Sequence, residues 1–232
     1  MFFFDPMYFV FIIPGLILSM WASFRVKRAF KKYSKVRSMR GMTGAGAAEE
    51  MLRRAGISGV RILRSHGMLS DHYNPLTRTL NLSESVYDSD SIAAVGVATH
   101  EAGHAVQHAR NYAPLWVRSA LVPTANIGSS IGYIVMLVGL VFLHPQTMVL
   151  IGALLFSAVL LFQIVTLPVE FNASNRAKAL VVEYGIVTAQ EREGIDKVLN
   201  AAALTYVAAA ISTLMTLLYF LMRAGLLGGR RD

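Results

Sequence analysis

Cysteine is absent from the 232-residue sequence. That excludes disulfide scaffolds, thiolate catalysis, Cys-type zinc sites and iron–sulfur clusters together. Any metal bound here must be held by histidine and carboxylate. Charge is scarce as well, at 16% of residues, where a soluble domain averages about 25%. Hydrophobic residues supply 54%, above the usual share of about 45–50%. The imbalance implies a membrane protein with a modest soluble part.

Acidic residues are few and unevenly placed: Lys and Arg number 22 against 14 Asp and Glu. Residues 25–40 hold Arg25, Lys27, Arg28, Lys31, Lys32, Lys35, Arg37 and Arg40 with no acid, which accounts for the whole surplus of +8. The high net charge is therefore local. Only Phe30 and Tyr33 interleave as aromatics, so the run reads as a topology signal that binds anionic lipid headgroups and not as a nucleic-acid surface.

Four apolar runs approach the ~20 residues that cross a ~30 Å hydrocarbon core. They cover 7–24, 121–143, 147–167 and 201–222. The first lacks a basic leader and a small-residue cleavage site, so it reads as an anchor and not as a removed signal. In the second, Gly128-Ser129-Ser130-Ile131-Gly132 presents small residues four apart, a face that lets another helix approach closely. The third is expected to end at Pro168. The basic run after the first span belongs in the cytoplasm. That orientation makes 25–115 a cytoplasmic module, puts the turn at His144 outside, and returns 168–200 to the cytoplasm. Arg223, Arg230 and Arg231 then lie outside, against the rule, and the stronger first signal is taken to prevail.

Within 25–115, Thr43 is placed to cap a helix over 44–55 that Gly56 stops. Residues 60–64 and 78–82 read as short strands, the second offering an edge to an extended substrate. The intervening Ser70-Asp71-His72-Tyr73-Asn74-Pro75 reads as a turn. A helix follows over 91–108. The fold class expected is mainly α: a polytopic membrane protein with about four transmembrane helices and a small cytoplasmic α+β module.

That last helix contains His100-Glu101-Ala102-Gly103-His104. Histidines at i and i+4 project from one helical face, so two imidazoles can hold one Zn²⁺ with Glu101 beside the open position. Chance would produce this pattern about 0.005 times in a chain of this composition. Gly103 and Ala102 keep the helix slim for close packing. A third ligand is needed. His108 continues the i+4 series, but it lies ~12 Å of helical rise from His100. It suits support of the site, a helix C-terminal charge or the surface better. Glu170 follows Pro168 on the same side of the membrane as the histidine pair and is the better candidate. An ordinary interfacial carboxylate is the other reading of Glu170.

The segment 69–75, the His100–His104 pattern and Val169-Glu170-Phe171-Asn172-Ala173-Ser174-Asn175-Arg176 together resemble the membrane-bound neutral zinc metallopeptidases of the YugP type over essentially the whole chain. More distantly the chain is similar to the heat-shock membrane protease HtpX and other gluzincins. The resemblance implies a bacterial inner-membrane protein with one zinc ion on His100, His104 and Glu170, and Glu101 as the catalytic base. Ser174 stands where the wider pattern has an Asp that orients a ligand histidine, and Asn172 replaces an Asp expected in the closer family. Hydrogen-bonded support of the ligands is then expected to be redistributed.

The function expected is a zinc endopeptidase at the cytoplasmic membrane surface, acting on peptides or membrane proteins, with oligomers and partner proteins left open. His72, Asn175 and Arg176 are candidates for stabilising the transition state. An inactive metal-binding adaptor for another protease is the alternative. A channel would need polar or charged residues within several spans, and these runs carry no charge. An intramembrane site is disfavoured too. The apolar run before His100 covers only 92–99, and the Asp-Gly ligand motif of intramembrane metalloproteases is missing.

Overall fold

The computed structural model describes residues 5–67, 70–141 and 145–227. Leu69, His144, residues 142 and 143, Arg230 and Arg231 lie outside the described residues. Elements follow in the order α1 (Pro6–Tyr33), α2 (Gly44–Arg54), β1 (Arg61–Ser65), β2 (His72–Asn74), β3 (Thr79–Ser83), α3 (Glu84–Tyr87), α4 (Ile92–Ala109), α5 (Ala113–Ile127), α6 (Tyr133–Val141), α7 (Pro145–Glu183) and α8 (Ala189–Arg223). A π-helical turn at Gly128–Gly132 joins α5 to α6. Four helical stretches are long and apolar enough to cross a membrane: Pro6–Tyr33, Ala113–Leu140, Gln146–Glu183 and Ala189–Arg223. The architecture is mainly α with one small sheet.

The chain divides into two compact units. The first comprises the chain up to Ala22, Trp116–Leu167 and the chain from Thr205. Small residues set its helix spacing. A Cβ on Gly128 would sit 2.3 Å from the Leu155 carbonyl oxygen, and one on Gly152 would sit 2.6 Å from the Met136 amide. The small-residue face expected at 128–132 therefore does bring two backbones together. The same logic joins α1 to α8, where the Ser212 hydroxyl donates to the Gly15 carbonyl at 3.0 Å. Arg223, one of the arginines that conflicts with the charge rule, pairs with Asp5 at 2.9 Å, and Tyr219 donates to the same carboxylate.

The second unit comprises Ser23–Leu115 and Pro168–Leu204. Its core packs Ala47, Ala48, Met51 and Leu52 of α2 against Val95, Ala98, Ala102 and Ala105 of α4, with Leu80 and Leu82 of β3 alongside. Thr43 caps α2 by accepting from the Gly46 amide at 3.2 Å. Ser91 caps α4 by accepting from the Ala94 amide, also at 3.2 Å. Arg37 and Arg40 of the basic run are engaged within this unit, with the Asp90 carboxylate and the Gly185 carbonyl.

Three expectations need correction. Pro168 does not end the third helix. It lacks the amide that would bond one turn back, a loss costing about 3 kcal/mol in a helix interior. The continuation is nevertheless buried, through Val169, Ala173, Ala177 and Val181, and packing outweighs the missing bond. Secondly, residues 72–74 form strand β2 and not a turn. Asp71 fixes its entry by accepting from the Ser83 amide and hydroxyl, while the turn chemistry is displaced one step on, to Asn74 capping the Leu76 and Thr77 amides. Thirdly, the sheet order is β1-β3-β2, with β1 parallel and β2 antiparallel to β3. The strand expected to add a substrate is central, so both its edges are occupied. The outer edges of the sheet belong to β1 and β2.

Two neighbouring glycines separate packing from propensity. A Cβ on Gly44 would lie 2.2 Å from the Val86 carbonyl oxygen, whereas one on Gly46 meets only the Thr43 hydroxyl at 3.5 Å. Gly44→Ala should destabilise the protein by about 1–3 kcal/mol through overpacking. Gly46→Ala should stabilise it by up to about 1 kcal/mol through helix propensity. Thermal unfolding of the detergent-solubilised variants checks both signs.

Candidate metal centre

Helix α4 forms because Ser91 caps an alanine-rich run free of proline. It presents His100 and His104 one turn apart, their rings 4.8 Å between centroids and nearly perpendicular. The opposing element is the part of α7 beyond Pro168. Gly103 permits the approach: a Cβ there would lie 2.7 Å from the Ala173 carbonyl oxygen. Glu170, 3% exposed at its side chain, thereby meets His100 Nε2 at 3.2 Å and His104 Nε2 at 3.6 Å through Oε2. One ligand atom from each of the three residues lies within 4.8 Å of the others. Among the described residues this is the only such group, and His66, His72 and His108 fall outside it.

The protonation pattern shows what the group accommodates. The buried Gln107 donates its amide nitrogen to the Val169 carbonyl at 2.8 Å and to Asn172 Oδ1 at 3.0 Å. Its oxygen consequently faces His104 Nδ1 at 2.9 Å, so Nδ1 carries a proton and the lone pair of a neutral ring lies on Nε2. Ser174 Oγ stands 3.2 Å from His100 Nδ1, leaving Nε2 of that ring toward Glu170. Two imidazole nitrogens and a carboxylate oxygen thus converge on one point. This donor set fits a divalent ion with nitrogen and oxygen ligands.

Electrostatics follow from the same geometry. Burial pushes the Glu170 carboxyl upward, but hydrogen bonds from His100 and His104 outweigh it and hold the group well below the usual carboxylate range. Burial pulls His104 downward, yet the Glu170 carboxylate reverses that and leaves its pKa raised.

The remaining sequence candidates separate clearly. Ser174 contacts His100, and Asn172 accepts from both Gln107 and Arg176, whose Nε lies 2.7 Å away. Ser174 is the neighbour of His100 Nδ1, and Gln107 that of His104 Nδ1. His72 is exposed and bonded to the Ser70 carbonyl and Asn81, and Asn175 is exposed on α7. Asp71 bonds Ser83 and not His72. His108 Nδ1 meets the Tyr73 hydroxyl at 2.7 Å, and the Tyr73 amide donates to Glu101 Oε2 at 3.0 Å. Burial and the charge of Arg78 together hold His108 below its ordinary pKa. Sequence reasoning missed Gln107 and Tyr73. The first was detectable as a polar residue one turn beyond His104 on the apolar face. The second stood in a segment taken for a turn.

Residues 8–225 match the family described as "Putative neutral zinc metallopeptidase", and the chain belongs to that family. It is 46% identical over 217 residues to "Putative membrane protease YugP" of Bacillus subtilis (strain 168), covering 93% of this chain and 96% of that relative. No solved structure matches it.

Raised basicity at His104 sets a pH dependence. Zinc held by this group would compete with a proton for His104, so affinity should fall as the pH drops below the His104 pKa and level off above it. Competition with a chromophoric chelator across pH 5–9 checks this, and a flat profile contradicts it.

Proposed function

We propose that the protein is a zinc-dependent endopeptidase working at the cytoplasmic membrane surface, with His100, His104 and Glu170 as ligands and Glu101 as general base. The observation that carries this reading is the meeting of the His pair with Glu170, a carboxylate 70 residues away in sequence, in a buried group. Glu101 adjoins the pair on α4 and is itself buried, 9% exposed. A histidine pair at i and i+4 with a distant third Glu is the gluzincin arrangement.

A bound zinc ion supplies a Lewis acid that polarises a peptide carbonyl and brings the acidity of water to about pKa 7. Glu101 takes the proton released as water attacks the carbonyl carbon, and returns it to the leaving amine nitrogen as the C–N bond breaks. Gln107 keeps His104 in the tautomer whose Nε2 can coordinate, and Ser174 orients His100. These contacts compensate for the aspartates missing at 172 and 174. They therefore weaken the adaptor reading, which drew on those two positions.

The membrane placement is supported by two features. Glu170 sits on the same helix as the apolar run 147–167. The basic residues at 25–40 follow the first apolar run directly, and each positive charge near an anionic leaflet contributes about 1 kcal/mol. Substrates would then be peptides or the cytoplasmic ends of membrane proteins.

The test is hydrolysis of a casein or model peptide by the purified full-length protein, with zinc quantified in parallel. Glu101→Gln should keep one zinc per chain and lose about 10²–10⁴-fold in kcat. Glu170→Ala should lose tightly bound zinc. Undiminished hydrolysis by Glu101→Gln would refute its role, and full zinc retention in Glu170→Ala would remove that residue from the ligand set.

A further inference from the structure

The segment Asp71-His72-Tyr73-Asn74 lies outside the candidate metal group, and only Tyr73 of it packs against the core. Each of its polar groups is nonetheless engaged. Asp71 accepts from the amide and hydroxyl of Ser83, His72 bonds Asn81, and Asn74 caps the turn that follows. The strand so anchored touches α4 twice. The Tyr73 amide donates to Glu101 Oε2 at 3.0 Å, and the Tyr73 hydroxyl meets His108 Nδ1 at 2.7 Å. Glu101 and His108 are seven residues apart, two turns along one face of α4, so a single tyrosine spans that face.

Strand direction explains how this is possible. Tyr73 is the middle residue of β2 and lies opposite Leu80. In an antiparallel pair, alternate residues direct their amides toward and away from the partner strand. The Tyr73 amide points away from β3 and can therefore serve Glu101 without removing a ladder bond. A glutamate on a helix has three rotatable bonds, and a charge-assisted bond from a fixed amide selects one orientation of its carboxylate.

We propose that Tyr73 is the positioning residue for the general base: its backbone amide aims the Glu101 carboxylate, and its phenol, locked to His108, holds that amide in register with α4. The kinetic part of this inference rests on the hydrolase reading above. The contact itself does not.

Two measurements on the full-length protein in detergent test it. The first uses ¹⁵N-tyrosine labelling and needs no substrate. In Glu101→Ala the Tyr73 amide proton should move strongly upfield, and an unmoved resonance would overturn the proposal. The second compares zinc content, KM and kcat for Tyr73→Phe, His108→Leu, His108→Gln and Tyr73→Pro. Proline is tolerated at an edge strand where the amide is not used in pairing; Tyr73→Pro deletes the amide donor together with the phenol, so its loss beyond that of Tyr73→Phe reads the amide.

Breaking the phenol–imidazole bond by Tyr73→Phe or His108→Leu should lower kcat about 10-fold, and Tyr73→Pro about 100-fold. Zinc should stay at one per chain and KM within about twofold in all three, since substrate and metal contacts are intact. His108→Gln, which can still bond a phenol, should recover most of the loss. Unchanged kcat in Tyr73→Phe and His108→Leu would overturn the proposal. So would loss of zinc in step with kcat, which would make the role structural. A faster Tyr73→Pro enzyme would overturn it too, because the amide would then be restraining the base. A wild type that hydrolyses nothing sinks the hydrolase reading instead, and the amide resonance alone then decides whether Tyr73 holds Glu101.

Discussion

Three polar groups meet in a space that water barely reaches: two imidazole nitrogens and one carboxylate oxygen. A buried carboxylate is costly unless positive charge or hydrogen bonding compensates it, because it has left bulk solvent. Much of the surrounding structure answers that constraint. Gly103 lets α7 come close enough, the helix continues through Pro168 to deliver Glu170, and Gln107 and Ser174 fix the outer nitrogens of the two rings. Had Gln107 been apolar, Nδ1 of His104 would have lost its acceptor, and with it the tautomer that turns Nε2 toward Glu170.

Much of this was legible in the sequence, for identifiable reasons. The i, i+4 histidine pair is a local pattern, and helix geometry alone puts both rings on one face. Thr43 announced its helix because a cap is a side chain answering an amide three residues away. The apolar runs and the small residues at 128–132 are equally local. The family resemblance read from three short motifs is borne out by a match over nearly the whole chain. Glu170 was within reach because charge placement put it on the same side of the bilayer as His100.

What the sequence concealed depends on contacts between distant segments. Residues 72–74 carry turn-forming neighbours, and only pairing with β3 makes them a strand. The edge assigned to 78–82 was wrong for the same reason: strand order is a property of the sheet and not of any single strand. Pro168 signals a helix end by local rules, and burial of Ala173, Ala177 and Val181 overrides it. Gln107 and Tyr73 are ordinary polar residues until α7 and β2 arrive beside them. The basic run also divides in a way composition cannot reveal, since Arg37 and Arg40, though exposed, bond to protein partners.

The account stands or falls on the identity of the atoms around the ion. Zinc K-edge X-ray absorption on the purified, zinc-loaded wild-type protein reads them directly. It should give nitrogen and oxygen neighbours at about 2.0–2.2 Å, with the multiple scattering of two imidazoles reduced to one in His104→Ala. A shell without imidazole scattering, or one indifferent to the loss of His104, would contradict the proposed centre.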